Sequence, residues 1–125
     1  MENIILVVDD DSGILDVIRT ALEIEGYEVI TADRWNRLFN NQNKLPRVIL
    51  LDVLLSGQDG RDVASKLKDN PMTKNIPVIM MSAYPQVQQA SLAAGADAFL
   101  SKPFDLDRLL TLVGQYIDTP KNLKM

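Results

Sequence analysis

The feature that most constrains the fold is a repeated alternation between short apolar runs and longer segments of helical period. Continuous apolar runs occupy Ile4–Val8, 48–51, 78–81 and 98–100, and a shorter, more polar run at 27–31 fits an edge strand. Uninterrupted apolar runs are typical of strands that are covered on both faces, as in parallel sheets. The alternation therefore predicts strands separated by helices.

Five helical patterns lie between and after these strands. The first ends before Gly26, which suits a left-handed C-cap, and the last begins after Asp105, a predicted N-cap. The residues expected on the core-facing side of the five helices are, in chain order, Ile14, Leu15, Ile18 and Leu22; Trp35, Leu38 and Phe39; Val63, Ala64 and Leu67; Val87, Ala90, Ser91 and Ala94; and Leu106, Leu109, Leu110, Val113 and Ile117.

Five repeats of strand then helix predict an α/β fold with a doubly wound, five-stranded parallel sheet and helices on both faces. Right-handed crossovers leave few topologies, and we expect strand order 2-1-3-4-5, as in flavodoxin-like folds. In this order the ligand crevice opens at the carboxyl ends of strands 1 and 3. Residues 1–118 are expected to form one domain, followed by a short polar tail at 119–125.

The composition of the 125-residue chain excludes several classes of function. It contains no histidine and no cysteine, which excludes imidazole catalysis, disulfides and thiolate metal sites. A net charge of −4 argues against binding to nucleic acid or to an anionic membrane surface. No apolar run is long enough to span a bilayer, and no basic region precedes Ile4–Val8 as in a signal peptide. We therefore expect a cytoplasmic protein.

Chemically versatile side chains stand where the predicted strands end. The residues that follow strands 1, 3, 4 and 5 are Asp9, Asp10 and Asp11; Asp52; Ser82; and Ser101, Lys102 and Pro103. The carboxyl ends of parallel strands meet at one edge of the sheet, so the topology gathers these groups. Converging carboxylates repel one another and need a cation. Oxygen ligands without histidine or cysteine indicate Mg²⁺ or Mn²⁺.

A carboxylate in such a site can attack a phosphoryl group and form an acyl phosphate. The charge on the transferred group would be shared by the cation, Lys102 and the Ser82 hydroxyl. Taken singly, each residue has a plainer interpretation: Asp11 and Ser12 as helix N-caps, Ser82 as a turn residue and Lys102 as a solvated lysine. Their joint occurrence at strand ends favours the functional interpretation.

Four segments resemble the signatures of response-regulator receiver domains, and they occur in the family's order and spacing over about 3–117. The segments are VVDDD, VILLDVLLSGQDG, PVIMMSA and FLSKPF. The resemblance implies a Mg²⁺-dependent phosphoacceptor of two-component signalling that carries the phosphoryl group on Asp52. It also implies metal binding by Asp10, Asp52 and the backbone carbonyl of Leu54, with Asp9 acting through a bound water.

The same resemblance implies roles for residues near the end of the chain. Lys102 would contact the phosphoryl oxygens and be aimed by a cis peptide bond to Pro103, and Ser82 and Phe99 would be switch residues. A plain core aromatic is the other interpretation of Phe99. The chain departs from the family at Ser56, where proline is usual.

Two further residues, Leu54 and Tyr84, stand two positions after Asp52 and Ser82. Both are bulky, and neither is acidic or carries an amide. On this basis we expect them to shield an acyl phosphate from water.

The resemblance also implies partners. A sensor histidine kinase or a histidine phosphotransfer protein would donate the phosphoryl group, and a downstream protein would bind the surface formed by the fourth helix, fifth strand and fifth helix. We expect a monomer or a weak dimer, with no direct binding to nucleic acid or membrane. The chain would be a phosphoacceptor and not a small-molecule enzyme.

Four alternatives stay open at this point. The chain could be a receiver module excised from a longer response regulator or hybrid kinase, or a degenerate receiver used only for interaction. A phosphatase of the aspartyl-phosphate type needs an acid two residues after the nucleophile, where this chain has Leu54. A flavin-binding module needs a Ser/Thr/Gly-rich loop after strand 1, where this chain has three aspartates.

Overall fold

The computed structural model describes residues 3–35 and 45–118, which form a parallel sheet between helices. In chain order, the elements are β1 (Ile4–Val8), α1 (Ser12–Ile24), β2 (Glu28–Ala32), β3 (Val48–Asp52), β4 (Leu54–Leu55), β5 (Gln58–Asp59), α2 (Gly60–Asp69), β6 (Val78–Ser82), a 3₁₀ helix (Pro85–Val87), α3 (Gln88–Ala93), β7 (Ala98–Ser101) and α4 (Leu106–Asp118).

The five-stranded main sheet has the order β2-β1-β3-β6-β7, and its neighbouring strands are all parallel. Counting only these strands, the order is 2-1-3-4-5, so the predicted doubly wound sheet is confirmed. A two-stranded antiparallel hairpin of β4 and β5 follows β3 and was not predicted. β2 begins and ends one residue later than the predicted 27–31.

Four of the five predicted helices are present in the described part of the chain as α1 to α4. The second predicted helix, at Trp35, Leu38 and Phe39, lies outside the described residues except for Trp35, which occupies a bend. Among the described residues, no helix combines the length and apolar character that a bilayer crossing requires.

Two apolar cores, one on each face of the sheet, explain the continuous apolar runs. In β1, Ile5 and Val7 pack in the core with α1 and α4, whereas Leu6 and Val8 pack in the core with α2. Strands β3 and β6 divide their side chains between the two cores in the same way. Burial of one such side chain contributes roughly 1.5–3 kcal/mol. Every position of these strands is therefore apolar until the strand reaches the edge of the sheet.

Aspartates cap the helices that begin near the carboxyl ends of the parallel strands. Asp11 caps α1, and its Oδ1 accepts hydrogen bonds from the backbone N–H groups of Gly13 at 2.9 Å and Ile14 at 3.2 Å. At the other end of α1, Gly26 has a φ of +96°, as its predicted left-handed position requires. Asp59 caps α2 by accepting from the backbone N–H of Arg61 at 2.9 Å.

Gly60, the first residue of α2, lies so close to β3 that a Cβ at this position would be 2.2 Å from the backbone oxygen of Asp52. We predict that Gly60→Ala lowers the free energy of unfolding by about 1–3 kcal/mol, because the helix must shift away from the strand. Urea unfolding measures the change.

The matched control is Gly114→Ala in α4, where an added Cβ would meet no atom within 4 Å. Alanine in a helix interior is favoured over glycine by about 0.5–1 kcal/mol, so this variant should be more stable than the wild type. Equal effects of the two substitutions would contradict the close approach at Gly60.

Candidate functional site

The carboxyl ends of four parallel strands bring the predicted site residues together. β1 is followed directly by Asp9 and Asp10, β3 ends at Asp52, β6 ends at Ser82, and β7 directly precedes Lys102. Strand pairing places Asp52 beside Met81 of β6 and Ser82 beside Ser101 of β7. The site is thus held by the backbone hydrogen bonds of the sheet itself.

Three carboxylates converge at this edge. Asp9, Asp10 and Asp52 each offer an oxygen, and these oxygens all lie within 4.8 Å of one another. Asp9 is fully buried and Asp52 is 6% exposed, whereas Asp10 is exposed to solvent. Two of the charges are therefore shielded from water, and the third stands at the opening of the site.

Lys102 supplies a positive charge inside this cluster. Its Nζ lies 2.7 Å from Asp9 Oδ2 and 3.4 Å from Asp52 Oδ1, and its side chain is 16% exposed. Its backbone N–H donates to the Ser82 carbonyl at 2.9 Å, and the peptide bond to Pro103 is cis. Burial disfavours the ammonium, but the hydrogen bond to Asp9 and the charges of both aspartates outweigh it and raise the pKa of Lys102. The lysine is therefore charged at neutral pH.

The negative charge of the Asp52 carboxylate is only partly balanced by the Lys102 ammonium. Burial, together with the charge of Asp9, raises the pKa of Asp52 to about 6, against the opposing effects of Lys102 and of a hydrogen bond from the Leu54 backbone N–H. The site thus holds more negative charge than its ammonium neutralises. An all-oxygen donor set with surplus negative charge fits a hard divalent cation such as Mg²⁺ or Mn²⁺.

The remaining predicted residues lie on the strands that carry this cluster or shortly after them. Ser82 is 2% exposed, and its Oγ accepts the Tyr84 backbone N–H at 3.0 Å, which leaves the hydroxyl proton available for donation. Leu54 and Tyr84 are about half exposed, with values of 52% and 49%. Phe99 on β7 is half-buried and packs against the α2 side of the core.

Two residues that contribute to the site were missed at the level of sequence. The Ser56 hydroxyl donates to Asp10 Oδ2 at 2.8 Å, although Ser56 stood out in the sequence only as a departure from the family. Gly60 allows α2 to approach the Asp52 backbone. Ser56 followed by Gly57 indicates a turn, but the sequence does not show how close that turn lies to Asp10.

Residues 5–114 match the family described as the response regulator receiver domain. The chain is 42% identical over 106 residues to the response regulator PleD of Caulobacter vibrioides, a match that covers 81% of this chain and 23% of PleD. It is 37% identical over 112 residues to the DNA-binding dual master transcriptional regulator RpaA of Synechocystis, which covers 87% of this chain and 46% of RpaA. The chain thus spans less than half the length of these two relatives.

Solved structures give the same assignment. The fold is similar to that of a response regulator receiver domain protein (CheY-like) from Methanospirillum hungatei, with a TM-score of 0.84 and 32% sequence identity. That match covers 94% of this chain and 95% of the other.

The pKa of Asp52 predicts a pH-dependent effect of Asp52→Asn in metal-free protein. A pKa raised from 3.8 to about 6 means that the folded state binds the proton more tightly than the unfolded state. The stability that Asp52 contributes is therefore present below about pH 4 and is lost as the pH rises through about 6. Asp52→Asn should increase the free energy of unfolding by about 2 kcal/mol at pH 8 and have little effect below about pH 4.

Urea unfolding in EDTA across this pH range tests the effect. Asp16→Asn, at an exposed position of α1, controls for the loss of a carboxylate elsewhere. Two results would show that burial does not dominate at Asp52. One is an increase in the free energy of unfolding of Asp52→Asn that is as large at low pH as at pH 8, and the other is a decrease at pH 8.

Proposed function

Since the chain belongs to the response regulator receiver domain family, we propose that it accepts a phosphoryl group on Asp52 in a two-component phosphorelay. The observation that carries the proposal is the convergence of Asp9, Asp10 and Asp52 within 4.8 Å, with the Lys102 ammonium 3.4 Å from Asp52. Phosphoryl transfer to an aspartate requires a nucleophilic carboxylate and fixed positive charge around the transferred group. The proposed role is that of a phosphoacceptor and not of a small-molecule enzyme.

The cation in this proposal is Mg²⁺, with Mn²⁺ as a substitute. Asp10, Asp52 and the backbone carbonyl of Leu54 would hold it, with Asp9 acting through a bound water. When bound, it would neutralise negative charge on the phosphoryl oxygens. The exposure of Asp10 supports this assignment, because that carboxylate is open to an ion from solvent.

The proposed reaction uses three of the chain's own side chains, those of Asp52, Lys102 and Ser82. An Asp52 carboxylate oxygen would form a bond to phosphorus while the bond from phosphorus to a donor's imidazole nitrogen breaks and the nitrogen keeps the electron pair. The Lys102 ammonium would pair with one phosphoryl oxygen. The Ser82 hydroxyl, whose proton is available, would donate to another.

The proposed phosphodonor is a sensor histidine kinase or a histidine phosphotransfer protein, which the chain would meet in the cytoplasm. An open groove of about 600 Å³ lies between α1 and the segment after β7, and it reaches Lys102. Its walls include Ile14, Val17, Phe104 and Leu106. An apolar groove that reaches Lys102 suits a docking helix that presents a phosphohistidine.

The proposed output surface consists of α3, β7 and α4. Phe99 borders a cavity of about 370 Å³ on this surface, which Gln88 and Arg108 also line. Phosphorylation adds roughly two negative charges at neutral pH. Movement of Ser82 toward that charge and of Phe99 into the space behind Ser82 would change the surface. A downstream protein that binds one of the two states better would respond to this change. The chain would bind that protein as a monomer or a weak dimer.

The first test of this function is phosphorylation by acetyl phosphate. Wild-type protein with Mg²⁺ should become labelled at one site, and both Asp52→Asn and the addition of EDTA should abolish labelling, because each removes a required group. Phosphate-affinity electrophoresis measures the product. Asp16→Asn serves as the control and should be labelled like the wild type. Labelling of Asp52→Asn at the wild-type rate would mean that the nucleophile is another residue.

A second test concerns the lifetime of the acyl phosphate. Leu54 and Tyr84 are bulky and half-exposed, and neither carries a carboxylate or an amide to orient an attacking water. The double variant Leu54→Asn, Tyr84→Glu should dephosphorylate about tenfold faster, which corresponds to ~1.4 kcal/mol in the barrier. Decay of the phosphoprotein after removal of the donor gives the rate.

Met72→Asn is the control for this measurement, since Met72 is 58% exposed and belongs to the loop between α2 and β6. It should decay at the wild-type rate. If the double variant decays no faster than Met72→Asn, Leu54 and Tyr84 do not shield the phosphoryl group.

A further inference from the structure

We propose that Ser56 is a positioning residue that holds the Asp10 carboxylate ready for a divalent cation, an inference that rests on the proposed metal role of the site. The Ser56 Oγ donates to Asp10 Oδ2 at 2.8 Å, across 46 positions of the chain. A carboxylate has two oxygens with several lone pairs, so Oδ2 can accept this bond while Oδ1 remains available to a metal ion.

Asp10 needs positioning more than the other two carboxylates do. Asp9 is fully buried and held by the Lys102 ammonium at 2.7 Å and the Asp11 backbone N–H at 3.0 Å. Asp52 is almost as buried and is held by Lys102 and the Leu54 backbone N–H. Asp10 is exposed, so its side chain would lose rotamer freedom on binding an ion. Its hydrogen-bond donor within the described ranges is the Ser56 hydroxyl.

The backbone of the β4–β5 hairpin fixes where the Ser56 hydroxyl lies. Leu55 pairs with Gln58, so Ser56 and Gly57 form the two-residue turn between them. Gly57 has a φ of +74°, which a residue with a side chain rarely adopts, and Ser56 has a negative φ. This combination is that of a type II turn, in which glycine takes the second central position. The turn therefore presents Ser56 in a defined orientation.

The hairpin is also tied to the body of the domain. The Gln58 side-chain oxygen accepts a hydrogen bond from the Trp35 backbone N–H at 3.1 Å, and Leu55 is buried in the α2 core. Movement of the turn is therefore limited from both sides. Loss of a hydrogen bond to a metal-ligating carboxylate typically lowers metal affinity by about tenfold or more.

The test is the dissociation constant for Mg²⁺ alone, without a phosphodonor, for the full chain. Isothermal titration calorimetry measures this constant. Ser56→Ala should weaken Mg²⁺ binding about tenfold. Ser56→Thr keeps the hydroxyl and should bind within a factor of about two of the wild type, and its rescue separates the hydroxyl from the shape of the turn.

Ser65→Ala, at an exposed position of α2, is the matched control and should bind like the wild type. Urea unfolding in EDTA should show that all four proteins are folded under the conditions of the titration, so that weaker Mg²⁺ binding by Ser56→Ala does not come from unfolding. Equal or tighter Mg²⁺ binding by Ser56→Ala overturns the proposal, and so does equal weakening by Ser56→Ala and Ser56→Thr. Absence of Mg²⁺ binding by the wild type would instead refute the metal role of the whole site.

Discussion

The contact between Lys102 and the buried carboxylate of Asp9 determines much of the site's geometry. These residues stand 93 positions apart, and they meet at 2.7 Å because β1, β3, β6 and β7 are parallel neighbours that end at one edge. Loss of one partner from such a buried pair costs about 3–5 kcal/mol, because the other charge stays buried and unpaired. The same ammonium lies 3.4 Å from Asp52, so the contact that stabilises the edge also places positive charge beside the proposed nucleophile.

Without a bound cation, the site carries more negative than positive charge. One ammonium faces three clustered carboxylates, and the pKa of Asp52 rises to about 6 because burial and Asp9 outweigh Lys102. Proteins often retain such unfavourable arrangements where function needs them. In the proposed function, a divalent cation would bring positive charge to these carboxylates, and the phosphoryl group would be held between that cation and Lys102. The Ser56 hydrogen bond to Asp10 fits this arrangement as a support for its exposed member.

The sequence predicted the sheet and the position of the main site residues because both follow from backbone rules. Continuous apolar runs marked β1, β3 and β6, and the residues after them had to share an edge once the strands were parallel. The β4–β5 hairpin was missed because its strands have two residues each and no apolar period. The close approach of Gly60 and the Ser56–Asp10 bond depend on tertiary distances, and the pKa of Asp52 depends on a balance of burial and charge that no local pattern encodes.

The central claim is that this charged cluster makes Asp52 the phosphoacceptor. The most direct measurement reduces the acyl phosphate with borohydride after reaction with a phosphodonor and Mg²⁺, and then locates the modified residue by mass spectrometry of peptides. Reduction converts a phosphorylated aspartate to homoserine, so the predicted result is homoserine at position 52, and none when the donor is left out. Homoserine at Asp9, Asp10 or any other aspartate, with position 52 unmodified, would contradict the account.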